Sequence, residues 1–245
     1  MVPDQLILSA TDLEVAAFLG LCRNTSETIL PGNVRLITGQ AGNSSFDLLI
    51  SGPGVFNTSH ALAVYLGGQA GQLPDHILQI GIAGVFESGK LDIGDIAVAT
   101  REHYIHAGVA SNSLKHEPLP FDLIPDTPLS RQGIYRFDQA RVNACHEKLL
   151  EAVSGSHTRI AKGTFLTVST ITADLETAAW LFDAFSPVME NMEGAAAAHT
   201  AALFNIPLVE IRAASNIVGE RYKSNWEIDR AVEQLGWVCR QLFSD

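Results

Sequence analysis

Two stretches of the sequence decide the fold, Asn191–His199 (NMEGAAAAH) and Val209–Asn216 (VEIRAASN). The first predicts an alanine-rich helix that begins next to Glu193, and the second predicts an apolar strand that ends in Ser215 and Asn216. In an open α/β protein, the carboxyl ends of strands and the beginnings of helices line one ligand crevice. We therefore expect the Glu193 carboxylate and the Asn216 carboxamide to face the same ligand.

Short apolar runs alternate with helical segments along the chain. This alternation predicts βαβ units and an α/β fold with a largely parallel sheet. The chain has 245 residues, 47% of them hydrophobic, which is enough to bury one large core, so we expect a single domain over residues 1–245. Strands are predicted over residues 6–9, 46–50, 77–82, 96–100 and 160–169 and around Met189 and Leu208, and helices over residues 12–19, 55–66, 140–153, 173–185, from 193 onward and 226–243.

The composition excludes several classes of partner. The formal net charge of -11 and the isoelectric point near 5.1 argue against nucleic acid or an anionic membrane. No apolar run reaches transmembrane length, and the first residues lack the pattern of a signal peptide. Cys22, Cys145 and Cys239 are scattered and odd in number, so we expect reduced thiols and a cytoplasmic location.

The segment from residue 108 to residue 137 interrupts the alternation of strands and helices. It holds Pro118, Pro120, Pro125 and Pro128 and has no clear periodicity. Since an irregular connection of this length is uncommon in a compact domain, we expect it to form a lid or an interface loop.

Two polar residues follow predicted strands in the first third of the chain. Glu14 lies one helical turn beyond the first strand, where it could act as a general base on water. A solvated glutamate that complements the helix dipole is the alternative. Ser51 begins a Ser-Gly-Pro-Gly turn whose glycines let backbone approach a ligand, and a plain structural turn explains them equally well.

Glu193 and Asn216 carry groups that suit a nucleoside. A carboxylate at the start of a helix can accept hydrogen bonds from two ribose hydroxyls, and a helix-capping glutamate is the alternative. The Asn216 amide both donates and accepts, which suits the N7/O6 edge of a 6-oxopurine, and a turn residue is the alternative. Glu210 and Arg212 share one face of their strand by alternation, so we expect them to form an ion pair.

No pattern in the sequence indicates a cofactor or a metal site. The residues Gly81–Gly84 (GIAG) do not match the dinucleotide fingerprint. Their small side chains could let a flat purine lie against the backbone, or they could simply pack tightly. Glu102, His103 and His106 lie close together in sequence without an evident further ligand, so no metal is expected. The nucleophile motif G-x-S-x-G is absent.

Three segments together resemble the nucleosidase branch of the purine and uridine phosphorylase superfamily. They are the corner at Ala10–Glu14, the helix start with the sequence Met-Glu-Gly-Ala and the strand end with the sequence Arg-x-x-Ser-Asn. The resemblance covers nearly the whole chain. It implies a three-layer α/β/α sandwich with a central mixed, mostly parallel and partly barrel-like sheet. It also implies a small-molecule purine nucleoside as the ligand and assembly into homodimers or higher homo-oligomers.

The resemblance assigns roles to individual residues. Glu14 matches the glutamate that activates the attacking water, and Ser51 lies in the loop beside the ribose and this water. Met192 and Glu193 match the pair that packs on the ribose and binds its 2′- and 3′-hydroxyls. The stretch that lines the purine matches Ser169, Thr170, Ile171 and Thr172.

Asn216 stands where adenosine-type nucleosidases carry aspartate. Aspartic acid can protonate N7 of a 6-aminopurine, whereas asparagine suits the N7/O6 edge of hypoxanthine. Residues 215–221 and 226–228 are also similar to the futalosine hydrolases, which release hypoxanthine on one route to menaquinone. Futalosine is an inosine-like nucleoside whose 5′ carbon bears a carboxyphenyl ketone. The similarity places Ser215 at the substrate and makes Arg221 a candidate for binding the carboxylate of this arm.

Water is the expected nucleophile. Phosphorylases of this superfamily carry an arginine-containing loop after the first strand, whereas residues 9–14 contain two acids and no arginine. Three alternatives to futalosine hydrolysis stay open. The first is a methylthioadenosine/S-adenosylhomocysteine nucleosidase, against which Asn216 argues. The second is a purine nucleoside phosphorylase, against which the two acids of residues 9–14 argue. The third is a catalytically silent nucleoside-binding or storage protein, against which the presence of both Glu14 and Glu193 argues.

Overall fold

The computed structural model describes residues 5–69, 71–110, 116–153 and 157–243. The described strands are β1 (Gln5–Ser9), β2 (Arg23–Leu30), β3 (Val34–Ala41), β4 (Ser44–Ile50), β5 (His76–Val85), β6 (Ile96–Tyr104), β7 (Gly108–Ala110), β8 (His116–Pro118), β9 (Ser130–Arg131), β10 (Ile134–Arg136), β11 (Ile160–Thr167), β12 (Pro187–Asn191) and β13 (Leu208–Ile217). The described α-helices are α1 (Asp12–Leu19), α2 (Val55–Gly67), α3 (Gln139–Ala152), α4 (Leu175–Phe185), α5 (Gly194–Leu203) and α6 (Ile228–Phe243).

Parallel pairings are concentrated at the centre of the main sheet. β1 lies between β4 and β5, and both neighbours run parallel to it. Next to β5, five strands close into a ring in the order β5, β12, β11, β6 and β13, because β13 pairs with both β5 and β6. Antiparallel strands extend the sheet at both edges, β2 and β3 beside β4, and β10 and β9 beside β6. The mixed, partly barrel-like sheet is therefore confirmed.

Helices cover the sheet in two groups. Helices α1 and α3 pack against α6, and all three contact central strands. Helices α2 and α5 pack on each other, α2 also contacts β4, and α5 contacts β10 and the ring strands β5, β6, β11 and β13. In α6 the buried residues Ala231, Leu235 and Val238 recur every three or four residues, which is the spacing of an amphipathic helix. The layered α/β architecture is confirmed. None of the described helices has the length and apolar character needed to cross a lipid bilayer.

The apolar runs that identified the strands are buried on both faces of the sheet. Leu6, Ile7 and Leu8 of β1 are at most 1% exposed, although consecutive side chains of a strand point to opposite faces. A strand covered by helices on both sides needs apolar residues throughout. This is why a continuous apolar run, rather than an alternating one, marks β1.

The hairpin of β2 and β3 is not among the predicted elements. Side chains of β2 are exposed along almost its whole length, so its sequence (RNTSETIL) lacks the apolar pattern on which the prediction of strands depends. Residues 31–33 (Pro-Gly-Asn) turn the chain between the two strands. Gly32 and Asn33 adopt the left-handed backbone conformation that such a turn requires.

The proline-rich segment is partly regular. β10 pairs with β9 and with β6, so this hairpin attaches the segment to the main sheet, whereas β7 and β8 form a separate two-stranded sheet. Residues 111–115 lie outside the described residues. The role of this segment as a lid or an interface loop stays a prediction.

Candidate active site

A cavity of about 220 Å³ lies at the carboxyl ends of strands β1, β5, β11, β12 and β13. Ligand sites of α/β proteins typically occupy this position. The cavity is lined by Ala10, Thr11, Glu14, Pro53, Ile82, Ala83, Gly84, Val168, Ile171, Glu190, Asn191, Met192, Glu193, Ser215, Asn216 and Trp226.

The structure brings six of the nine predicted site residues to this cavity, and three lie behind or beside its wall. The Ser51 hydroxyl donates to the neighbouring backbone carbonyl at 2.8 Å, and Thr172 faces Glu190. Arg221 is exposed, and its guanidinium lies 5.5 Å from the ring centroid of Trp226. The six residues at the cavity are Glu14, Ile171, Met192, Glu193, Ser215 and Asn216.

Glu14 both caps helix α1 and faces the cavity. One carboxylate oxygen accepts hydrogen bonds from the Thr11 backbone N–H at 2.8 Å, the Thr11 hydroxyl at 2.9 Å and the Ser9 hydroxyl at 3.2 Å. The other oxygen accepts from the Ile82 N–H at 2.9 Å. These donors fix the carboxylate at the end of β1. Glu14 is only 4% exposed, which does not match a solvated surface glutamate.

Glu193 is held on both of its carboxylate oxygens. Oε1 accepts a hydrogen bond from the Gly54 N–H at 2.9 Å, and Oε2 accepts one from Arg212 Nη1 at 3.1 Å. Each oxygen retains a second lone pair, so the carboxylate can still accept two hydroxyl protons. The glycine turn after β4 therefore serves the site through its backbone, by orienting Glu193.

Arg212 is almost completely buried between two carboxylates. Besides Glu193, it contacts Glu210, whose Oε1 accepts a hydrogen bond from Nε at 2.9 Å. The predicted ion pair of Glu210 and Arg212 is confirmed, whereas the contact with Glu193 was not predicted. Burial opposes the charge of Arg212, but the charges of Glu210, Glu193 and Glu14 outweigh it and raise the pKa. The guanidinium therefore stays charged behind the cavity.

Asn191 connects the start of α5 to buried Glu102. Its Oδ1 accepts hydrogen bonds from the backbone N–H groups of Glu193 at 2.9 Å and Gly194 at 2.7 Å. Its Nδ2 donates to Glu102 Oε1 at 2.5 Å. Backbone donors at a helix start have no partner within the helix, so Asn191 satisfies two of them and fixes the backbone of Glu193.

Glu102 and Glu210 are fully buried carboxyl groups that face each other. A Cβ atom on Gly194 would lie 2.1 Å from Glu102 Oε1 and 2.6 Å from Glu210 Oε2, so only glycine fits beside them. Burial, and then the charge of Glu210, hold the pKa of Glu102 well above its usual range. Burial also raises the pKa of Glu210, whereas the charge of Arg212 lowers it, so Glu102 is the member of the pair that more readily holds a proton.

Asn216 offers both a donor and an acceptor at one side of the cavity. Its Nδ2 donates to the Ile217 carbonyl at 3.1 Å, and its Oδ1 accepts from the Ser215 hydroxyl at 2.8 Å. Because a backbone carbonyl can only accept, this contact fixes which way the amide points. The second amide hydrogen and a second lone pair on the oxygen can serve a ligand.

Glu190 borders the other side of the cavity. Its two carboxylate oxygens accept hydrogen bonds from Thr172, one from the backbone N–H at 3.2 Å and one from the hydroxyl at 2.5 Å. Burial raises the pKa of Glu190, while the hydrogen bonds from Thr172 act in the opposite direction. The contact ties the loop that carries Ile171 and Thr172 to strand β12.

Three residues of this network, Glu102, Glu190 and Asn191, are absent from the predicted site. Glu190 and Asn191 lie in the mostly buried strand β12, and Glu102 follows the buried first half of β6. An ionisable or amide side chain in a buried strand needs a hydrogen-bond partner, so its presence there is a signal for a polar network. The sequence contained this signal for Glu102 and Glu190, but not the identity of their partners.

The described residues offer neither a metal site nor a reactive thiol. No group of three or more His, Cys, Asp or Glu side chains among them is placed to hold a metal ion. Cys22, Cys145 and Cys239 are unpaired. Burial raises the pKa of the first two to about 11 and that of Cys239 to about 12, so these thiols are poor nucleophiles at neutral pH.

The sequence is similar to nucleosidases along most of its length. It is 27% identical to the 5′-methylthioadenosine/S-adenosylhomocysteine nucleosidase of Bacillus licheniformis over 229 residues, which cover 93% of this chain and 91% of that protein. Identity to the nucleosidase of the same name from Anoxybacillus flavithermus is 28%, with 90% and 88% covered.

Solved structures share the fold. The Neisseria meningitidis 5′-methylthioadenosine/S-adenosylhomocysteine nucleosidase, in complex with methylthio-immucillin-A, superposes with a TM-score of 0.77 at 19% identity and covers 97% of this chain and 95% of its own. The Colwellia psychrerythraea nucleosidase with adenine gives a TM-score of 0.76 at 22% identity, with 99% and 96% covered. The model of the phosphorylase superfamily matches residues 5–243, and the chain therefore belongs to this superfamily.

Proposed function

We propose that this protein hydrolyses the N-glycosidic bond of a purine nucleoside. The observation that carries the proposal is the placement of two buried carboxylates, Glu14 and Glu193, on the wall of one cavity beside the amide of Asn216. One acid suits activation of water, the other suits the ribose diol, and the amide suits a purine. The full-length similarity to curated nucleosidases supports the same reaction type.

In this mechanism Glu14 orients the water and removes its proton. Cleavage of the glycosidic bond develops positive charge on the ribose, as in other glycosyl transfers. Glu193 binds the 2′- and 3′-hydroxyls and places negative charge near this cation, which is most effective in a buried site. Asn216 stabilises the departing base by hydrogen bonds while solvent supplies the proton that the base takes up. Arg212 keeps the Glu193 carboxylate in position.

Water is a better nucleophile than phosphate for this site. Phosphate binding requires positive charge, and none of the residues that line the described cavity is Lys or Arg. The buried Arg212 is already paired with Glu193 and Glu210. A phosphate dianion would instead approach the carboxylate of Glu14, which opposes phosphorolysis.

The base and the 5′ substituent define two candidate substrates. The relatives and solved structures compared above are named 5′-methylthioadenosine/S-adenosylhomocysteine nucleosidases, so these comparisons by themselves favour that reading over futalosine. The chemistry of the base end favours a 6-oxopurine, because Asn216 can donate to N7 or O6 but cannot act as an acid. On this chemistry we propose futalosine as the substrate and methylthioadenosine as the alternative.

Arg221 is the proposed partner of the carboxylate on the futalosine arm. It lies outside the cavity wall, on Trp226, which is part of that wall. A guanidinium stacked on an indole beside the cavity mouth is placed to meet a charged group that extends from the site.

The test is release of base from futalosine, inosine and methylthioadenosine, each with and without phosphate, followed by chromatography. Hypoxanthine from futalosine without phosphate supports the proposal. Adenine from methylthioadenosine instead supports the alternative nucleosidase. Release that depends on phosphate contradicts hydrolysis, and no release from any substrate points to a nucleoside-binding protein.

A further inference from the structure

Two buried side chains at the ends of neighbouring strands hold the first N–H groups of helix α5. Asn191, the last residue of β12, accepts hydrogen bonds from the N–H groups of Glu193 and Gly194. Thr167, the last residue of β11, accepts one from the Ala195 N–H at 2.7 Å. These groups have no partner within the helix, so Asn191 and Thr167 together determine how the backbone of Glu193 lies.

Glu102 determines which atoms these two side chains present to the helix. Its Oε1 accepts a hydrogen bond from Asn191 Nδ2 at 2.5 Å, and its Oε2 accepts one from the Thr167 hydroxyl at 2.7 Å. Because the nitrogen of the Asn191 amide points to Glu102, the amide oxygen faces the helix. Because the single hydroxyl hydrogen of Thr167 also points to Glu102, the lone pairs of this oxygen are left for the helix. The start of α5 therefore depends on an acceptor at both oxygens of Glu102.

A second series of contacts leads from Glu102 to the carboxylate of Glu193. Glu102 and Glu210 share a side-chain hydrogen bond, and Glu210 Oε2 accepts no hydrogen bond from an N–H or hydroxyl group of the described residues. Two carboxyl oxygens in contact need a proton between them, and the oxygen that donates it can still accept from another group. Glu210 also binds Arg212, which donates to Glu193 Oε2. The contacts thus form a closed ring that starts at the backbone of Glu193 and returns to its side chain.

We propose that Glu102 is a positioning residue for ribose binding. It is not among the residues that line the cavity, so it acts through its neighbours. It holds Glu193 from two directions, at the backbone through the two side chains below α5 and at the carboxylate through the pair of Glu210 and Arg212. A carboxylate must be placed accurately to bind two hydroxyls of one ring. This assignment rests on the proposed hydrolysis of a purine nucleoside, which gives Glu193 the ribose as its ligand.

Glutamine distinguishes the two members of the carboxyl pair. In Glu210→Gln the amide nitrogen can donate to Glu102 while the amide oxygen still accepts from Arg212, so every contact of the ring is kept. In Glu102→Gln an NH₂ group, which cannot accept, replaces one of the two oxygens. Whichever way this amide points, the contact with Asn191 or the contact with Glu210 is lost. If the pair served only to bury a neutral group, the two substitutions would have the same effect.

The experiment measures, by calorimetry, the binding of ligands with and without a ribose to the wild type, to Glu102→Gln and to the matched control Glu210→Gln. The ligands with a ribose are formycin A and formycin B, in which a carbon–carbon bond that is not hydrolysed joins the sugar to the base. Adenine and hypoxanthine are the ligands without a ribose. In Glu102→Gln we expect the formycins to bind about 10-fold more weakly, the effect of losing one hydrogen bond, and the free bases to bind as they do to the wild type. Glu210→Gln should bind all four ligands as the wild type does.

The outcomes separate the role of Glu102 from the proposed function. If the wild type binds the formycins no more tightly than the free bases, it has no ribose site, and the proposed function fails together with this assignment. If the wild type prefers the formycins and Glu102→Gln keeps that preference, only the role of Glu102 is overturned. The same holds if Glu102→Gln and Glu210→Gln lose the preference equally, or if Glu102→Gln weakens the free bases as much as the formycins.

A second pair of variants tests the same ring at Thr167, should Glu102→Gln not fold. Thr167→Val removes the hydroxyl that connects Glu102 to the Ala195 N–H, whereas Thr167→Ser keeps it. We expect the valine variant to lose the preference for the formycins and the serine variant to retain it. Equal preferences in the two variants would overturn the assignment.

Discussion

Arg212 donates a hydrogen bond from Nη1 to Glu193 Oε2 at 3.1 Å, and both side chains are more than 90% buried. This contact joins the carboxylate that faces the cavity to a charge network inside the protein, because the same guanidinium binds Glu210. If Glu193 binds the ribose as proposed, folding and ligand binding depend on the same cation. The position of Glu193 follows from this network as much as from its place at the start of α5.

Removing the cation should destabilise the protein strongly. In Arg212→Met, Glu193 and Glu210 would remain buried without their partner, and breaking a buried pair in this way costs about 3–5 kcal/mol. Chemical denaturation measures the loss in the free energy of unfolding. The matched control is Arg230→Met, which breaks the half-exposed pair with Glu227 and should cost less than about 1 kcal/mol. Equal losses in the two variants would contradict the proposed network.

Replacing the general base should separate turnover from binding. In Glu14→Gln the side chain keeps its size but cannot take a proton from water, so we expect kcat to fall by about 10²–10⁴-fold. Binding of the free purine, measured by calorimetry, should change little. Asp12→Asn on the same helix is the control, because Asp12 is exposed and pairs with Arg35. Full activity of Glu14→Gln would remove Glu14 from the mechanism.

The buried pair of Glu102 and Glu210 should make stability depend on pH. The pKa of Glu102 is raised in the folded protein, so its contribution to stability is fully present below the pKa of an unfolded glutamate. That contribution is lost as the pH rises through the folded pKa. Glu102→Gln mimics the protonated form, and its Tm should fall less than that of the wild type as the pH is raised above about 4.5, the ordinary pKa of a glutamate. Parallel Tm curves for the two proteins would contradict a protonated Glu102.

A methyl group at the start of α5 should not be tolerated. In Gly194→Ala the new Cβ would overlap the carboxyl groups of Glu102 and Glu210, and such overpacking costs about 1–3 kcal/mol. The same substitution at Gly67, where a Cβ atom meets nothing within 4 Å, should be neutral or slightly stabilising because alanine favours the helix. Thermal unfolding of both variants measures the difference. A stable Gly194→Ala would show that the carboxyl groups can move apart.

Sequence patterns predict the parts of the fold that depend on local apolar burial. The runs that became β1 and β5 and the amphipathic α6 are recognisable because their side chains enter one core. Strand β2 is not, because its exposed polar side chains carry no such pattern. The sequence also does not show which strands pair with each other to close the ring.

The residues of the candidate site are also of two kinds, those that a local sequence pattern predicts and those that depend on contacts between distant segments. Glu14, Glu193 and Asn216 are predictable because each follows a strand or begins a helix at the edge where ligands bind. The contact of Glu102 with Glu210 joins residues 108 positions apart and exists only because β6 and β13 pair when the ring closes. Glu190 likewise accepts a hydrogen bond from Thr172, which lies on the loop between β11 and α4, and this contact cannot be predicted from the sequence.

The most direct test of the central claim is a competition between two nucleosides in phosphate-free buffer. An equimolar mixture of futalosine and methylthioadenosine is incubated with the protein, and the released bases are separated by chromatography. Their initial ratio gives the ratio of the two kcat/KM values. A 6-oxopurine nucleosidase releases hypoxanthine first and in large excess. Adenine as the first and main product would contradict this account and assign the protein to hydrolysis of 6-aminopurine nucleosides.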